Sequence, residues 1–278
     1  MTTHTVPTVP LLHGARMPVL GLGTAPMNDD NTARAVEHAL GLGYRLVDTA
    51  ENYGNEVGVG RGLRAAGVTR DDVFLTTKFN RRWHSVDGPR RALEASLERL
   101  DVDYVDLLLI HWPNPDQDTY VDAWTGVARL LDAGRVRAIG TSNFKPSHLQ
   151  RLLDETGVVP DVNQIQLSPH IARTDRRDFH TAHGIVTESW SPLGNGDDLL
   201  DEPAVASLAQ AHDRTPAQVV LRWHLQHEVV PIPKSGNPDR LAQNLAVFDF
   251  ELAADEMALL DALDRGENGA LDSDVFGH

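Results

Sequence analysis

Short apolar segments alternate along the chain with longer segments in which apolar residues recur at helical spacing. The short segments have the continuous apolar character of strands that are buried on both faces. They lie at 20–23, 45–47, 73–77, 105–110, 136–140, 162–167, 185–188 and 229–232. The amphipathic helices that follow them are predicted at 31–42, 56–66, 89–100, 121–133, 148–156, 176–183, 216–226 and 239–246.

Eight strand–helix units predict an α/β protein whose parallel sheet is covered by helices, and this number fits a closed (β/α)8 barrel. No break in composition marks a second domain, so residues 1–278 are predicted to form one barrel domain. A short hairpin is predicted before the barrel, with strands at 9–12 and 16–19, and an extra helix after it, at 253–263. The polar tail at 265–278 leaves two outcomes open, which are closure over a pocket and disorder.

The alternative fold is an open doubly wound sheet, which requires a glycine-rich phosphate turn directly after an early strand. The nearest candidate lies at 21–26, where Pro26 stands in place of the third glycine. A second glycine-rich segment, at 58–62, lies inside a helical pattern and does not follow a strand. Neither segment has the dinucleotide-binding pattern, so the barrel is favoured.

The chain is acidic, with a formal net charge of −15, and this argues against binding to nucleic acid or to an anionic membrane. An anionic cofactor would therefore need a locally basic pocket. The absence of cysteine excludes disulfides, cysteine nucleophiles and cysteine metal ligands. The first ten residues lack the pattern of a signal peptide, and no apolar segment is long enough to span a bilayer, so a cytoplasmic location is expected. A monomer is expected as well.

Ionisable residues stand where three of the predicted strands end. Asp48 follows the second strand, Lys78 the third and His111 the fourth. Because active sites of (β/α)8 barrels lie at the carboxyl ends of the strands, closure of the barrel would bring these side chains to one rim. Taken singly, each has a structural alternative: Asp48 could cap the next helix, Lys78 could be a solvated strand end, and His111 could be a buried imidazole.

Together with Tyr53, which follows Asp48 by five positions, these residues form a candidate proton donor. A phenol has a pKa near ~10, and a neighbouring ammonium group can lower this value by about one to three units. Asp48 would keep Lys78 charged and in place, and His111 could orient a carbonyl oxygen. The set suits protonation of an alkoxide as it forms from a carbonyl. No side chain donates hydride, so a nicotinamide cofactor is predicted.

Residues after the later strands could hold such a cofactor. Asn143 and Gln164 could bind its carboxamide with help from Ser142, and Trp190 offers a flat face for the ring. A basic and hydroxyl-bearing cluster at the last strand and helix is an exception in this acidic chain, and it suits a 2′-phosphate. The cluster comprises Lys234, Ser235 and Arg240.

Three segments carry a resemblance to a known family. They read GLGYRLVDTAENYGNE at 41–56, VDLLLIHWP at 105–113 and IPKS at 232–235. In this order, and over nearly the whole chain, they resemble the signatures of the aldo-keto reductases. The segments around Glu188 and at 217–226 are most similar to those of the bacterial diketogluconate reductase-like branch.

The resemblance implies NADPH-dependent reduction of aldehydes and ketones by a tetrad of Asp48, Tyr53, Lys78 and His111, with Tyr53 as the general acid. It implies an extended NADPH in contact with Gly23, Thr24, Asp48, Ser142, Asn143, Gln164, Trp190, Ser191, Pro192, Leu193, Gly194, Lys234, Ser235, Arg240, Gln243 and Asn244. The substrate mouth is expected at Ala25, Asn52, Trp83, His111 and Trp112. Small aldehydes, dicarbonyls and keto-sugars fit this mouth without a ranking among them.

Two departures from the family pattern affect these expectations. Gln243 stands where many members carry Glu, which bears on the adenine contacts. The segment at 78–84 lacks the Lys-x-Trp-Asn pattern, although Trp83 could occupy the same space from a shifted position.

Two other classes of function stay open at this point, a cofactor-binding subunit without activity and an unrelated barrel isomerase that uses Asp48 and His111. No metal site is predicted. The histidine pairs at 180 and 183 and at 224 and 227 have helical spacing, but their segments lie away from the strand ends.

Overall fold

Ten strands form a small hairpin and a barrel in the computed structural model, which describes residues 6–278. The hairpin consists of β1 (Thr8–Pro10) and β2 (Arg16–Pro18). The barrel strands are β3 (Leu22–Gly23), β4 (Leu46–Asp48), β5 (Phe74–Phe79), β6 (Leu107–Ile110), β7 (Ala138–Ser142), β8 (Val162–Gln166), β9 (Val186–Trp190) and β10 (Val230–Pro231). They pair in parallel and in chain order from β3 to β10, as the alternation of strands and helices predicts.

The barrel closes where β3 meets the segment after β10. Gly23 forms a parallel bridge with Lys234, and its amide donates to the carbonyl of Pro233 at 3.2 Å. A Cβ atom on Gly23 would lie 2.7 Å from the carbonyl oxygen of Ile232, so glycine lets the backbones approach at this seam. The predicted (β/α)8 fold is therefore confirmed, and the open doubly wound alternative is excluded.

Helices surround the barrel. They are α1 (Asp29–Leu42), α2 (Glu56–Ala65), α3 (Gly88–Leu100), α4 (Tyr120–Asp132), α5 (Pro146–Thr156), α6 (Thr174–His183), α7 (Pro203–Ala211), α8 (Pro216–Gln226), α9 (Pro238–Leu245) and α10 (Ala254–Asp261). Helix α1 begins earlier than predicted, because its cap is Asn28, whose side chain accepts from the amide of Asn31 at 2.9 Å. Among residues 6–278, no helix is long and apolar enough to cross a membrane.

Helix α7 was not predicted. Its inward face consists of Val205, Leu208 and Ala209, which is too short an apolar pattern to stand out in an alanine-rich segment. The predicted extra helix is confirmed as α10, although it ends at Asp261 instead of residue 263.

The inner face of the barrel changes from apolar to polar along each strand. Strand residues alternate between faces, so Leu46 and Asp48 share the inner face of β4, and Phe74 and Lys78 share that of β5. Leu46 and Phe74 pack in one apolar cluster that includes Met17 from the hairpin. The amino end of the barrel is thus filled and dry, and the polar side chains collect at the carboxyl end.

The tail folds back along the carboxyl end of the barrel. The amide of Leu271 donates to Gln166 at 2.8 Å, and Lys145 pairs with Asp272 at 2.6 Å. His278 reaches the cavity at the centre of this end. The sequence left open whether the tail closes over a pocket or is disordered, and in the structure it closes over the cavity.

The glycine-rich segment at 58–62 forms the contact face of α2. A Cβ atom on Gly60 would lie 1.9 Å from the carbonyl oxygen of Leu100, and one on Gly62 would lie 2.7 Å from the carbonyl oxygen of Ala33. These glycines let α2 pack against α1 and α3 with their backbones in contact. Their role is in packing, and they do not bind phosphate.

We expect Gly60→Ala to lower the free energy of unfolding by about 1–3 kcal/mol, because the added methyl group would clash with the backbone of Leu100. The cost of this clash exceeds the gain in helix propensity, which is under ~1 kcal/mol. The matched control is Gly41→Ala in α1, where an added Cβ meets no atom within 4 Å. This control should stabilise the protein by about 0.5–1 kcal/mol. Urea denaturation of both variants checks the opposite signs, and equal shifts in the same direction would contradict the packing role.

Candidate active site

Asp48, Lys78 and Tyr53 form one hydrogen-bonded group at the carboxyl end of the barrel. Lys78 Nζ donates to Asp48 Oδ1 at 2.6 Å, to the carbonyl of Thr49 at 3.0 Å and to Tyr53 Oη at 3.2 Å. Asp48 and Lys78 lie at inner-face positions near the carboxyl ends of β4 and β5. Tyr53 lies on a short 3-10 turn after β4. The geometry brings Asp48 and Lys78, which the sequence placed on one rim, together with Tyr53.

The ion pair of Asp48 and Lys78 is buried. Burial raises the pKa of Asp48, and Lys78 is the main group that opposes this rise. Burial lowers the pKa of Lys78, but Asp48, and after it Tyr53, raise it more, so the net shift is upward. The pair stays ionised, because discharging one partner would leave the other charge buried without compensation.

Tyr53 is half-buried, with one side facing the cavity. Burial raises the pKa of Tyr53 above its usual value, and the nearby charge of Lys78 lowers it by less. The lysine thus acts in the direction expected from the sequence, but burial outweighs it and the net shift of the pKa is upward. The phenol holds its proton at neutral pH, with Lys78 placed to stabilise the phenolate when that proton leaves.

His111 follows β6 and its ring lies edge-on to that of Tyr53, with 5.7 Å between the centroids. Burial lowers the pKa of His111 well below its usual value, and Lys78 and His278 lower it further. The imidazole is therefore neutral at neutral pH and has one N–H group to donate. Its Nδ1 atom is buried and has no hydrogen-bond partner among residues 6–278.

On the opposite side of the site, Asn143 has a left-handed backbone with φ of 66°. Its Nδ2 atom donates to the carbonyl of His111 at 3.0 Å, and its Oδ1 atom accepts from the indole of Trp190 at 2.8 Å. Asn143 therefore ties the strand end that carries His111 to the flat ring of Trp190. The neighbouring Ser142 hydroxyl donates to the carbonyl of Gln164 at 3.0 Å.

Gln164 links the two halves of the site. Its Nε2 atom donates to Asp48 Oδ2 at 2.8 Å and to Glu188 Oε2 at 2.7 Å. Within residues 6–278 its Oε1 atom has no hydrogen-bond partner, although the side chain lines the cavity. The sequence placed Glu188 at the end of the seventh strand and in a family-like segment, and gave it no role.

A cavity of about 540 Å³ connects these side chains with the seam of the barrel. Many of the residues that the sequence assigned to cofactor or substrate line it. They are Gly23, Thr24, Ala25, Asp48, Tyr53, His111, Trp112, Ser142, Asn143, Gln164, Trp190, Ser191, Pro192, Leu193, Lys234 and Arg240. The sequence missed other lining residues, namely Asn195, Gly196, Leu200, Ile232, Pro233 and His278. His278 had no sequence signal, because only the path of the tail brings it here.

Several residues assigned from the sequence do not line this cavity. They are Asn52, Trp83, Gly194, Ser235, Gln243 and Asn244. Trp83 donates from its indole to Glu51 at 3.0 Å, and Asn52 accepts from Asn80 at 2.5 Å, so both are engaged outside the cavity wall. Gly194 instead lines a neighbouring pocket with His170 and Asp197.

Lys234 and Arg240 are exposed beside the cavity, and within residues 6–278 neither side chain has an ion-pair partner. Asn237 caps the amino end of α9, and its Oδ1 atom accepts from the amide of Arg240 at 3.0 Å. Two uncompensated cations next to a helix amino end make this rim attractive to an anion. Ser235 is buried in the turn between them, where its hydroxyl accepts from the amide of Asn237.

Histidine clusters outside the cavity have structural partners. Both ring nitrogens of His170 face carboxylates, Asp197 at 3.1 Å and Glu202 at 3.1 Å. His180 bonds to Asn163 and Thr187 through its two ring nitrogens. Both nitrogens of His180 are thereby engaged within the protein, whereas His170, Asp197 and Asp198 place three possible ligand atoms within 4.8 Å of one another.

Comparison with known proteins agrees with this arrangement. The model of the "Aldo/keto reductase family" matches residues 19–265. A protein of Yersinia pestis named methylglyoxal reductase DkgA is 47% identical over 98% of both chains. An aldo-keto reductase of Mycolicibacterium vanbaalenii is 48% identical over 98% of this chain and 97% of its own.

Solved structures show the same fold. The crystal structure of Gox0644 in its apo form matches with a TM-score of 0.94 and 44% identity, covering 99% of this chain and 100% of that chain. A variant of Gox0644 in complex with NADPH matches with a TM-score of 0.93 over the same shares of the two chains. The chain belongs to the aldo/keto reductase family.

Proposed function

We propose that this protein reduces small aldehydes and ketones to alcohols with NADPH, and that Tyr53 supplies the proton. The observation that carries the proposal is the position of Tyr53 Oη. It lies 3.2 Å from the charged Lys78 Nζ, at the wall of the cavity and beside a neutral His111. A protonated phenol with a cation behind it and a neutral imidazole beside it suits a carbonyl oxygen that gains negative charge.

Each residue of the tetrad has a separate task in this reaction. The hydroxyl of Tyr53 donates to the carbonyl oxygen and transfers its proton as charge develops there. Lys78 stabilises the resulting phenolate, and Asp48 keeps Lys78 charged and directed at Tyr53. His111 donates its single N–H group to the same oxygen and so fixes the orientation of the substrate.

The residues around the cavity fit a nicotinamide cofactor, which supplies hydride when it is bound. The unengaged Oε1 atom of Gln164 can accept from a carboxamide N–H group, and the ring of Trp190 offers a face for stacking. Ser142 and Asn143 complete the polar wall on this side. Thr24, whose hydroxyl donates to the carbonyl of Asp48 at 2.9 Å, holds the opposite wall in place.

The exposed cations favour NADPH over NADH. Lys234 and Arg240 lie next to the amino end of α9 in a chain with a net charge of −15. A 2′-phosphate would gain charge-assisted hydrogen bonds there that a hydroxyl would not. The NADPH complex of the Gox0644 variant supports the same choice.

Small carbonyl compounds are the proposed substrates. The Yersinia pestis relative carries the name of a methylglyoxal reductase, which makes small dicarbonyls the first compounds to test. The indole of Trp112 lines the cavity next to His111 and limits its width, with 6.4 Å between the two ring centroids. Keto-sugars are a second proposed substrate class, because the side of the cavity beside Trp112 is bounded by the tail and not by a rigid strand.

The expectations of one domain, a monomer and a cytoplasmic location also stand as proposals. The net charge of −15 supports a partner that is a small molecule, since nucleic acid and anionic lipid would be repelled.

We expect Tyr53→Phe to lower kcat for a small dicarbonyl by about 10²–10⁴-fold, because the phenyl ring has no proton to donate. The affinity for NADPH should stay unchanged, since the hydroxyl is directed at the substrate. Stopped-flow NADPH oxidation and fluorescence titration measure the two quantities. The control is Tyr104→Phe, which removes a hydroxyl that bonds to Asp71 at the other end of the barrel. Wild-type turnover in Tyr53→Phe would rule out the proposed acid.

We expect the double variant Lys234→Ala, Arg240→Ala to raise the Kd for NADPH by at least about tenfold, because charge-assisted hydrogen bonds contribute about 1.5–3 kcal/mol each. The Kd for NADH should change by less than about twofold, since NADH lacks the 2′-phosphate. Arg90→Ala, which removes one exposed cation paired with Glu94 on α3, is the control for loss of a surface cation away from the cavity. Equal losses for both cofactors would show that the cluster does not bind the 2′-phosphate.

A further inference from the structure

Glu188 is fully buried next to the proposed tetrad, and the reaction described above does not use it. It lies on the inner face of β9, where its relative exposure is 0%. Its Oε2 atom accepts from Gln164 Nε2 at 2.7 Å. The same Nε2 atom donates to Asp48 Oδ2 at 2.8 Å, so one amide group bridges two buried carboxyl groups.

The charges of this buried group do not balance if both carboxyls ionise. Lys78 is the cation of the group, and Asp48 is its partner at 2.6 Å. Within residues 6–278, Glu188 forms no ion pair, and its Oε1 atom is buried without a hydrogen-bond partner. An ionised Glu188 would therefore bury a negative charge without compensation, which is costly in a protein interior.

Glu188 is consequently neutral near pH 7. Burial raises the pKa of Glu188 to about 8, and the charge of Asp48 adds to this rise. The charge argument points in the same direction independently of that value.

We propose that protonated Glu188 is a positioning residue, which fixes the amide of Gln164 and keeps a second negative charge away from Lys78 and Tyr53. The inference rests on the proposed function, since it concerns the same site. It adds a residue that touches neither the substrate nor the tetrad atoms and acts through the side chains around it.

The positioning step follows from the two ends of the Gln164 amide. Two carboxyl oxygens accept from Nε2, so this end of the group is directed into the barrel. The Oε1 end is left for the cavity, which Gln164 lines. If Glu188 offered no acceptor, one of the two hydrogen bonds that set this orientation would be lost.

The charge step follows from the groups that face Glu188. These are Asp48 on β4, Lys78 on β5 and Tyr53 on the turn after β4. Ionisation of Glu188 raises the pKa of Tyr53 further, which makes the phenol a weaker acid. Glu188 is neutral below its pKa and charged above it, so reduction should slow as the pH rises through about 8.

The test compares wild type with Glu188→Gln in single-turnover reduction of a small dicarbonyl by bound NADPH. The glutamine keeps an acceptor for Gln164 and stays neutral at every pH. We expect the wild-type rate constant to fall about threefold to tenfold between roughly pH 7 and roughly pH 9.5, and that of Glu188→Gln to change less than about twofold. Glu155→Gln, which removes an exposed carboxyl on α5, should keep the wild-type profile. An identical alkaline fall in wild type and Glu188→Gln would overturn the charge role.

A second variant separates positioning from charge. Glu188→Met is neutral and of similar size but offers Gln164 no comparable acceptor, so the KM for NADPH should rise at least about threefold. Glu188→Gln should leave that KM within about twofold of wild type. Equal KM values in all three proteins would overturn the positioning role.

A spectroscopic readout keeps the inference independent of turnover. The infrared difference spectrum of wild type minus Glu188→Gln, both with NADPH, should show the carbonyl band of a protonated carboxylic acid at neutral pH. This band should disappear as the pH rises beyond about 8. A missing band at neutral pH would show that Glu188 is ionised and would refute the inference. If the wild type shows the band but reduces no carbonyl compound, the proposed function fails while the protonated state of Glu188 stands.

Discussion

The buried ion pair between Asp48 and Lys78 constrains the whole carboxyl end of the barrel. Two charges that have lost their water need other polar partners, and every partner of this pair belongs to the site. Tyr53 and the carbonyl of Thr49 contact Lys78, and Gln164 contacts Asp48. The electrostatic requirement of one pair thus positions the acid, the lysine behind it and the amide wall of the cavity.

The dry half of the barrel makes this pair possible. Leu46 and Phe74 lie on the same inner faces as Asp48 and Lys78 and exclude water from beneath them. At the seam of the barrel, Gly23 has no side chain to separate β3 from the segment after β10. The two backbones therefore approach closely enough to keep the interior sealed. Packing at one end of each strand and polarity at the other are consequences of the same alternation of residues.

Much of this arrangement could be predicted from the sequence, because it depends on periodicity. Continuous apolar segments locate the strands, and the residue that ends each segment must lie at the rim, which places Asp48, Lys78 and His111 together. Features that depend on tertiary contacts could not be predicted in this way. Trp83 was expected at the substrate mouth, but Glu51 binds its indole outside the cavity wall. The lowering effect of Lys78 on the pKa of Tyr53 was predicted, but the larger opposing effect of burial was not, because the extent of burial is a property of the packed structure. Helix α7 was missed because three apolar residues are too few for a clear helical pattern.

Solvent-exposed ion pairs help to attach the tail that bounds the cavity, whereas the contacts within the site are buried. Lys145 pairs with both Asp272 and Asp274, and both aspartates are about half exposed to solvent. Attractions of this kind weaken as mobile ions accumulate around the charges, on a length scale of about 10 Å at 0.1 M salt. The strand ends beneath are buried and are screened far less. Ionic strength would therefore act selectively on this protein, loosening the cover of its substrate entrance while leaving the proton-donating group intact.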